Sequence, residues 1–332
     1  MPLEKGLIAV DSQQHALFIN GSYFPAYPDI ACGSFEAVQA FKPLYTSSKE
    51  MGWDIQPDID NTRYEADVTL IALPKNQIEA VGLIAHGLLK TKAGGHVCIA
   101  AGSKGGGNRI VKNLKRFGIE DVQQETANRC RVVWFTRGDY DEEAVKDALE
   151  ESGIQSIADG QFVSQPGIYG WNKIDKGSAL LAACLPEGPF ANGADIGCGY
   201  GYLSVEALQK WGCTSWHYAD ADFRAVEICG QNLEKHSLNS GTHPHWIDCT
   251  QKLPFSGLDV IVMNPPFHEG QKGDPEIGNA FIRNASNALK NKGELWMVAN
   301  NHLPYERVLK AEFRQVEKRA EEQGFKVYRC VK

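Results

Sequence analysis

Long apolar runs are missing from this chain. None approaches the ~20 residues that a membrane-spanning helix requires, so no membrane association is expected. The segment Met1 to Val10 lacks the basic-then-apolar shape of a secretory signal, and a cytoplasmic location follows as the expectation. No Cys-x-x-Cys pair occurs among the nine cysteines, so the usual zinc and dithiol signatures are absent and buried free thiols are expected. One mixed group, His243, His245, Asp248 and Cys249, has metal-ligand chemistry, but its spacing fits a loop entering a strand and no metal is assigned. Positive charge is in deficit overall. The formal net charge of −7 argues against indiscriminate coating of nucleic acid, yet leaves room for a local basic face. A second absence marks such a face: from Val81 to Ile119 there is no Asp or Glu, while Lys90, Lys92, Lys104, Arg109, Lys112, Lys115 and Arg116 all lie within it.

What is present reads as a soluble α/β protein. At 43% hydrophobic and 23% charged residues the composition is that of a globular chain, and 332 residues exceed one ordinary core. A prior of roughly one domain per 150 residues gives two. In the second half, a strand ending at Asp195 runs through glycines into a helix over Tyr202 to Trp211, and a strand over Ser215 to Ala219 stops at Asp220. A helix over Ala225 to His236 follows, then a strand near His245 to Ile247 and the apolar run Leu258 to Met263. A helix over Glu276 to Lys290, a strand over Glu294 to Ala299 and a helix from Pro304 continue the alternation, which specifies a doubly wound parallel sheet. The charged tail is read as an antiparallel hairpin, Gln315 to Ala320 and Phe325 to Val331, because a lone last strand would leave a sheet edge exposed.

The first half repeats this grammar weakly. Asp67 to Leu73 matches Leu258 to Met263, and a helix over Gln77 to Lys90 follows. Lys90 to Gly95 leads into a strand over His96 to Ala101 much as Lys290 to Gly293 leads into Leu295 to Ala299, and Arg131 to Thr136 matches Phe325 to Val331. An internal duplication gives two similar domains, 1–155 and 156–332, with Asp139 to Glu151 an acidic helix and Ser152 to Gln165 the join.

Two segments carry chemistry. In Asp195-Ile196-Gly197-Cys198-Gly199-Tyr200-Gly201 the glycines permit a tight turn and close approach of a ligand to the backbone. The third glycine comes one residue too early for a dinucleotide loop, which favours a ligand without a pyrophosphate. Asp195 is placed to accept from the loop and from an ammonium group, and Asp220 from ribose hydroxyls. The second segment, Asn264-Pro265-Pro266-Phe267, follows an apolar strand at the ligand-binding edge of the sheet. If the Asn264 side-chain oxygen and the Pro265 carbonyl accept the hydrogens of an aromatic amine, its nitrogen becomes pyramidal and its lone pair is freed to attack. Positioning and fixed dipoles then replace a strong base. Phe267 is suited to stacking on the target base, and the neighbouring His268 reads as a bystander.

These residues resemble those of the class I methyltransferases. The longer stretch Asn264 to Gly270 is similar to the ribosomal RNA guanine-N2 methyltransferases, above all the small-subunit ribosomal RNA methyltransferase C family. The likeness covers essentially the whole chain, including Pro166 to Tyr169 and Ile174 to Ser178. It implies two tandem Rossmann-like domains, the first degenerate and suited to RNA binding and support, the second a seven-stranded, mostly parallel sheet with an antiparallel last strand. It further implies S-adenosyl-L-methionine as methyl donor and N2-methylguanosine in small-subunit (16S) ribosomal RNA as product; separately, a monomer is the expectation. By the same likeness Phe162 and Asp175 help to cover the cofactor, and Asp248 contacts its adenine. The chain departs from the family where Tyr169-Gly170 replaces a Phe-Ser pair and Lys176 interrupts an apolar stretch. Four readings compete: a large-subunit guanine-N2 enzyme, an adenine-N6 enzyme, a glutamine-N5 protein methyltransferase with a small helical N-terminal domain, and a non-catalytic RNA-binding assembly factor.

Overall fold

A computed structural model describes residues 10–23, 32–102, 105–266 and 275–332 of the protein. The chain divides into two compact units, Met1–Gln155 with Gln165–Gly167, and Ser156–Ser164 with Ile168–Lys332.

The first unit carries β1 (His15–Ile19), β2 (Ser34–Val38), α1 (Lys42–Glu50), β3 (Ile55–Gln56), β4 (Ala66–Ala72), α2 (Gln77–Lys90), β5 (Thr91–Gly102), α3 (Ile110–Arg116), β6 (Gln123–Ala127), β7 (Cys130–Thr136) and α4 (Glu142–Ser152). A small hairpin, β8 (Gln155–Ile157) and β9 (Phe162–Ser164), occupies the stretch read as the join. The remaining elements are α5 (Lys176–Cys184), β10 (Asn192–Ile196), α6 (Tyr202–Trp211), β11 (Ser215–Asp220), α7 (Phe223–Lys235), β12 (Thr242–Trp246), β13 (Leu258–Met263), α8 (Pro275–Ala288), β14 (Leu289–Asn300), α9 (Glu306–Glu312), β15 (Gln315–Glu322) and β16 (Phe325–Val331).

Each unit folds a seven-stranded sheet, in the order β3-β2-β1-β4-β5-β7-β6 and β12-β11-β10-β13-β14-β16-β15. Five strands run parallel, and the last two form the antiparallel hairpin read from the tail. The same topology thus occurs twice, with a parallel crossover between most strands and a hairpin that closes one edge. The first unit is therefore a sheet, not the small helical domain that a glutamine-N5 enzyme would carry.

Helix signals explain most boundaries. α7 starts where the Asp222 side chain accepts from Arg224 N, and it buries Ala225, Ile228, Cys229, Asn232 and Leu233, one face at helical spacing. α6 starts at Gly201 and stops at Gly212, both in the left-handed region that favours glycine. The helix over Glu276 to Lys290 ends two residues sooner than read, because Leu289 already pairs with Leu258 in the sheet. In the second unit one apolar layer contains Trp216, Val260, Val262 and Trp296, and the other Ile261, Met263, Met297 and Phe281. Both faces of the sheet are buried, so its central strands read as unbroken apolar runs.

Candidate active site

Because β10, β11 and β13 are parallel neighbours, their C-terminal ends lie on one edge of the sheet. The glycine loop, Asp220 and Asn264 leave the sheet at that edge. Gly197 (φ 79°), Gly199 (φ 54°) and Gly201 (φ 92°) all take left-handed backbone. At Gly201 a Cβ would also lie 2.7 Å from the Cys229 sulfur and 3.1 Å from its Cα, so no side chain fits. Gly197 N and Cys198 N donate to the Ala219 carbonyl at 2.7 and 3.0 Å, which folds the loop over the end of β11.

Asp195 is fully buried. Its Oδ2 accepts from Ser204 Oγ at 2.8 Å, and Ser204 Oγ accepts in turn from Trp216 Nε1 at 3.1 Å. Asp195 Oδ1 is buried with no protein partner. Burial is the main cause that pushes its carboxyl up to about 7, the Ser204 hydrogen bond opposing and the Asp220 charge adding to it. Asp220 holds the loop through Oδ2, which accepts from Gly199 N at 2.9 Å, while Oδ1 accepts from Asp222 N at 2.9 Å. Withdrawal from water raises this carboxyl to about 6 against those hydrogen bonds. Two adjacent acids with raised pKa values at a glycine loop, one oxygen unpartnered, fit a ligand that brings positive charge and hydroxyl donors. S-adenosylmethionine offers both, in its ammonium and sulfonium groups and its ribose.

Asn264 faces a different set of partners. Its Nδ2 donates to Asp175 Oδ2 and to Ser178 Oγ, both at 3.0 Å. Asp175 caps α5 by accepting from Ser178 N at 2.8 Å, and its Oδ1 accepts from the Tyr169 hydroxyl at 3.2 Å. Asp175, which the family resemblance assigns to covering the cofactor, thus also contacts Asn264. Pro265 is buried and Pro266 exposed. Phe267 and His268 lie outside the described residues.

Phe162 is buried, its ring edge-on to Tyr200 and Tyr202 with centroids 5.8 and 5.6 Å away, so it packs against aromatic residues at the glycine loop. The Asp248 carboxylate accepts from Thr250 N at 2.9 Å and Oγ1 at 2.6 Å, closing a turn after β12. Among the described residues no group of His, Cys, Asp and Glu is arranged to hold a metal. His217 and His245 instead share a hydrogen bond at 2.8 Å across β11 and β12.

Three contributors escaped the sequence reading. Ser204 and Ser178 hold Asp195 and Asn264, and Asn232 links the hairpin to the loop. Asn232 Nδ2 donates to Val163 O (2.8 Å) and Tyr200 O (2.7 Å), and its Oδ1 accepts from Val163 N at 2.8 Å. A signal existed for two of them, since Ser204 and Asn232 are polar residues on the buried faces of otherwise apolar stripes.

The methyltransferase small domain family matches residues 159–329. Ribosomal RNA small subunit methyltransferase C of Pseudomonas syringae pv. syringae is 30% identical over 83% of this chain and 81% of its own length. The protein of that name from Acinetobacter baylyi is 29% identical over 79% and 78%. Among solved structures, the 16S rRNA N2 methyltransferase of T. thermophilus in complex with AdoMet and guanosine superposes with a TM-score of 0.77 at 19% identity, covering 96% of this chain and 88% of that one. That likeness extends the shared fold through both sheets. The chain therefore belongs to the methyltransferase small domain family and, within it, to the ribosomal RNA small subunit methyltransferase C family.

Proposed function

We propose that this protein transfers the methyl group of S-adenosylmethionine to the exocyclic N2 amine of a guanosine in small-subunit ribosomal RNA. The observation that carries this is the Asn264 amide, whose two N–H groups are both engaged by Asp175 and Ser178, leaving its oxygen as the acceptor beside Pro265. That is the donor–acceptor polarity an amine requires. Family membership and the names of the relatives give the reading its substrate class.

When bound, S-adenosylmethionine supplies an electrophilic methyl carbon on a sulfonium. Asp195, Asp220 and the loop over 197–201 would hold it, with Asp248 toward the adenine and Phe162 packing behind the loop. Asn264 Oδ1 and the Pro265 carbonyl accept the two amine hydrogens, which draws the nitrogen out of conjugation with the ring and aims its lone pair. Their dipoles also stabilise the positive charge that grows on nitrogen before it releases one proton. Phe267 supplies the stacking face for the base.

The first unit takes the role of RNA clamp and support. Lys92 is ion-paired with Asp67 at 2.8 Å, and Arg116 is bidentate to Glu151 at 2.9 Å, so these two are committed to the fold. Arg109 and Lys112 are exposed beyond the C-terminal end of β5, where Arg131 pairs with Ala101; Lys104 lies outside the described residues. Exposed cations at that edge suit phosphate contacts. Among the described residues no helix is long and apolar enough to cross a membrane. On this reading the enzyme works in the cytoplasm as a monomer.

The test is tritium transfer from S-adenosylmethionine to naked RNA and to small-subunit particles, followed by nucleoside analysis. N2-methylguanosine is the expected product. Label in adenosine, in large-subunit RNA or in protein would sink the assignment.

A further inference from the structure

The two ends of an asparagine amide have nearly the same shape, so a site that needs the oxygen must choose between them by its neighbours. At Asn264 that choice is written in the hydrogen bonds. Nδ2 has two hydrogens and two acceptors, Asp175 Oδ2 and Ser178 Oγ, each at 3.0 Å. Turned over, Asn264 would set its oxygen against the Asp175 carboxylate, acceptor against acceptor, and would point two donors at an amine that is itself a donor.

The anchor is in turn anchored. Asp175 is pinned at the start of α5 by Ser178 N at 2.8 Å, and its second oxygen takes the hydroxyl of Tyr169 at 3.2 Å. Gly177 lets this helix start lie close to the sheet, since a Cβ there would come within 2.8 Å of the Phe325 ring. Tyr169 keeps 55% of its surface exposed, unusual for a large aromatic residue, so its role is not core packing.

We propose that Asp175, assisted by Ser178 and Tyr169, is the positioning residue that fixes the Asn264 amide with its oxygen toward the target amine. This rests on the functional reading above, but it assigns Asp175 to the acceptor side of the reaction and not to the cofactor. Asp175 never touches the reacting atoms; it acts through Asn264.

Asp175→Ser separates this role from the helix cap, because serine and aspartate cap helices about equally well, while the shorter side chain withdraws the oxygen that Asn264 Nδ2 reaches. Asn264 is then held by Ser178 Oγ alone, a hydroxyl that accepts from one orientation of the amide and donates to the other, so the catalytic oxygen loses its fixed position. Single-turnover methylation should fall about 30- to 100-fold, the scale of a misplaced catalytic contact, with cofactor affinity within about twofold. A merely structural Asp175 would instead lower thermal stability or cofactor affinity and leave the rate alone, and that pattern would overturn the proposal.

A double variant sharpens the test. With Asn264→Ala already in place, Asp175→Ser should cost less than about twofold more, because Asp175 acts only through Asn264, and such non-additivity is the signature of direct coupling. An undiminished further loss in the Asn264→Ala background would count against it. Tyr169→Phe, which removes only the hydroxyl, should cost about two- to fivefold.

Hydrogen exchange of the Asn264 side-chain amide, identified by NMR as the pair lost in Asn264→Ala, decides the question without any substrate. Slow exchange in the native protein, accelerated in Asp175→Ser, supports the anchor; native exchange as fast as that of an exposed asparagine overturns it. If the protein methylates some other amine, the substrate reading fails while this measurement still stands.

Discussion

The two halves of the chain agree at one end of their sheets and differ at the other. At the N-terminal ends of the strands the agreement reaches single hydrogen bonds. Asp67 accepts from His15 N and pairs with Lys92; Asp259 accepts from Ala191 N and Asn192 N and pairs with Lys290. Both sheets carry a register shift just there, between Ala66 and Val68 and between Leu258 and Val260. Gly94 and Lys292 both take positive φ, and each donates its N–H to the carbonyl of the residue following the last strand, Arg137 or Lys332.

At the C-terminal ends, strand register sets Phe18 where the second unit has Asp195, Gln39 at Asp220, and Ala72 at Asn264. Gln39 keeps half of the acid's job, since its Oε1 accepts from Phe41 N as Asp220 Oδ1 does from Asp222 N. Its other end donates to Gly21 O, and Asn20 donates to Ala72 O, so the loop is tied down by amides. The Phe18 ring occupies the space a Cβ on Gly21 would need. Between β1 and β2 the described residues hold no helix, where the second unit has α6. The lesson is that the fold is stored at one edge and the chemistry at the other. A duplicated domain can lose its reaction by changes at the ligand edge while keeping every strand.

That contrast can be attacked directly. Asn264→Ala makes the second edge match the first, and single-turnover rates should drop by ~10² to 10³-fold, as when a transition-state acceptor or donor is lost, with calorimetric cofactor affinity unchanged. A near-normal rate would refute the assigned acceptor. Asp220→Ala should weaken cofactor binding by ~1.5 to 3 kcal/mol, the range for hydrogen bonds to a charged group. Gln39→Ala should leave binding untouched, and calorimetry should find one cofactor per chain; two equivalents would erase the distinction between the halves. Replacing Lys104, Arg109 and Lys112 with alanine should flatten the slope of log affinity for RNA against log salt by about two, at roughly 0.7 to 0.9 per phosphate contact. An unchanged slope would reduce the first unit to structural support.

A smaller effect tests the buried acid. Asp195 titrates at about 7 in the folded protein against an ordinary value of 3.8, so the folded state holds the proton more tightly than the unfolded chain. The stability this contributes is complete below 3.8 and is lost as pH rises through about 7. Without cofactor, Asp195→Asn should therefore gain in melting temperature relative to the native protein as pH rises from about 4 to about 7. A difference that stays flat across this window would show that the carboxyl is not strained by burial. Smallest of all, Asp67→Ala and Asp259→Ala should cost similar amounts, ~1 to 3 kcal/mol each in chemical denaturation. Unequal costs would mean that the shared clamp no longer does the same job in both halves.

Much of this could be read from the chain because it is local. The glycine loop, Asp220 at a strand end and Asn264-Pro265-Pro266 are contiguous motifs, and the apolar runs at β4, β5, β13 and β14 announce buried strands. β1, β2 and β6 went unread. β6 is a largely exposed edge strand of polar residues, Gln123 to Ala127, with no periodicity to betray it. α5 hides in a short run of alanine and leucine without a strong polar face.

The sequence by itself determined the fold class and the repeated sheet, and it singled out the glycine loop and Asn264-Pro265-Pro266 as candidate site segments, since each depends on backbone preferences and periodicities within about ten to twenty residues. Only the tertiary structure decided what holds those parts in place. Asp175 meets Asn264 across 89 residues, and Asn232 meets Val163 across 69. Hydrogen bonds between such distant positions leave no periodic trace in the chain. They arise when packing has already brought the elements together, and there a buried polar group must find a partner or forfeit its hydration.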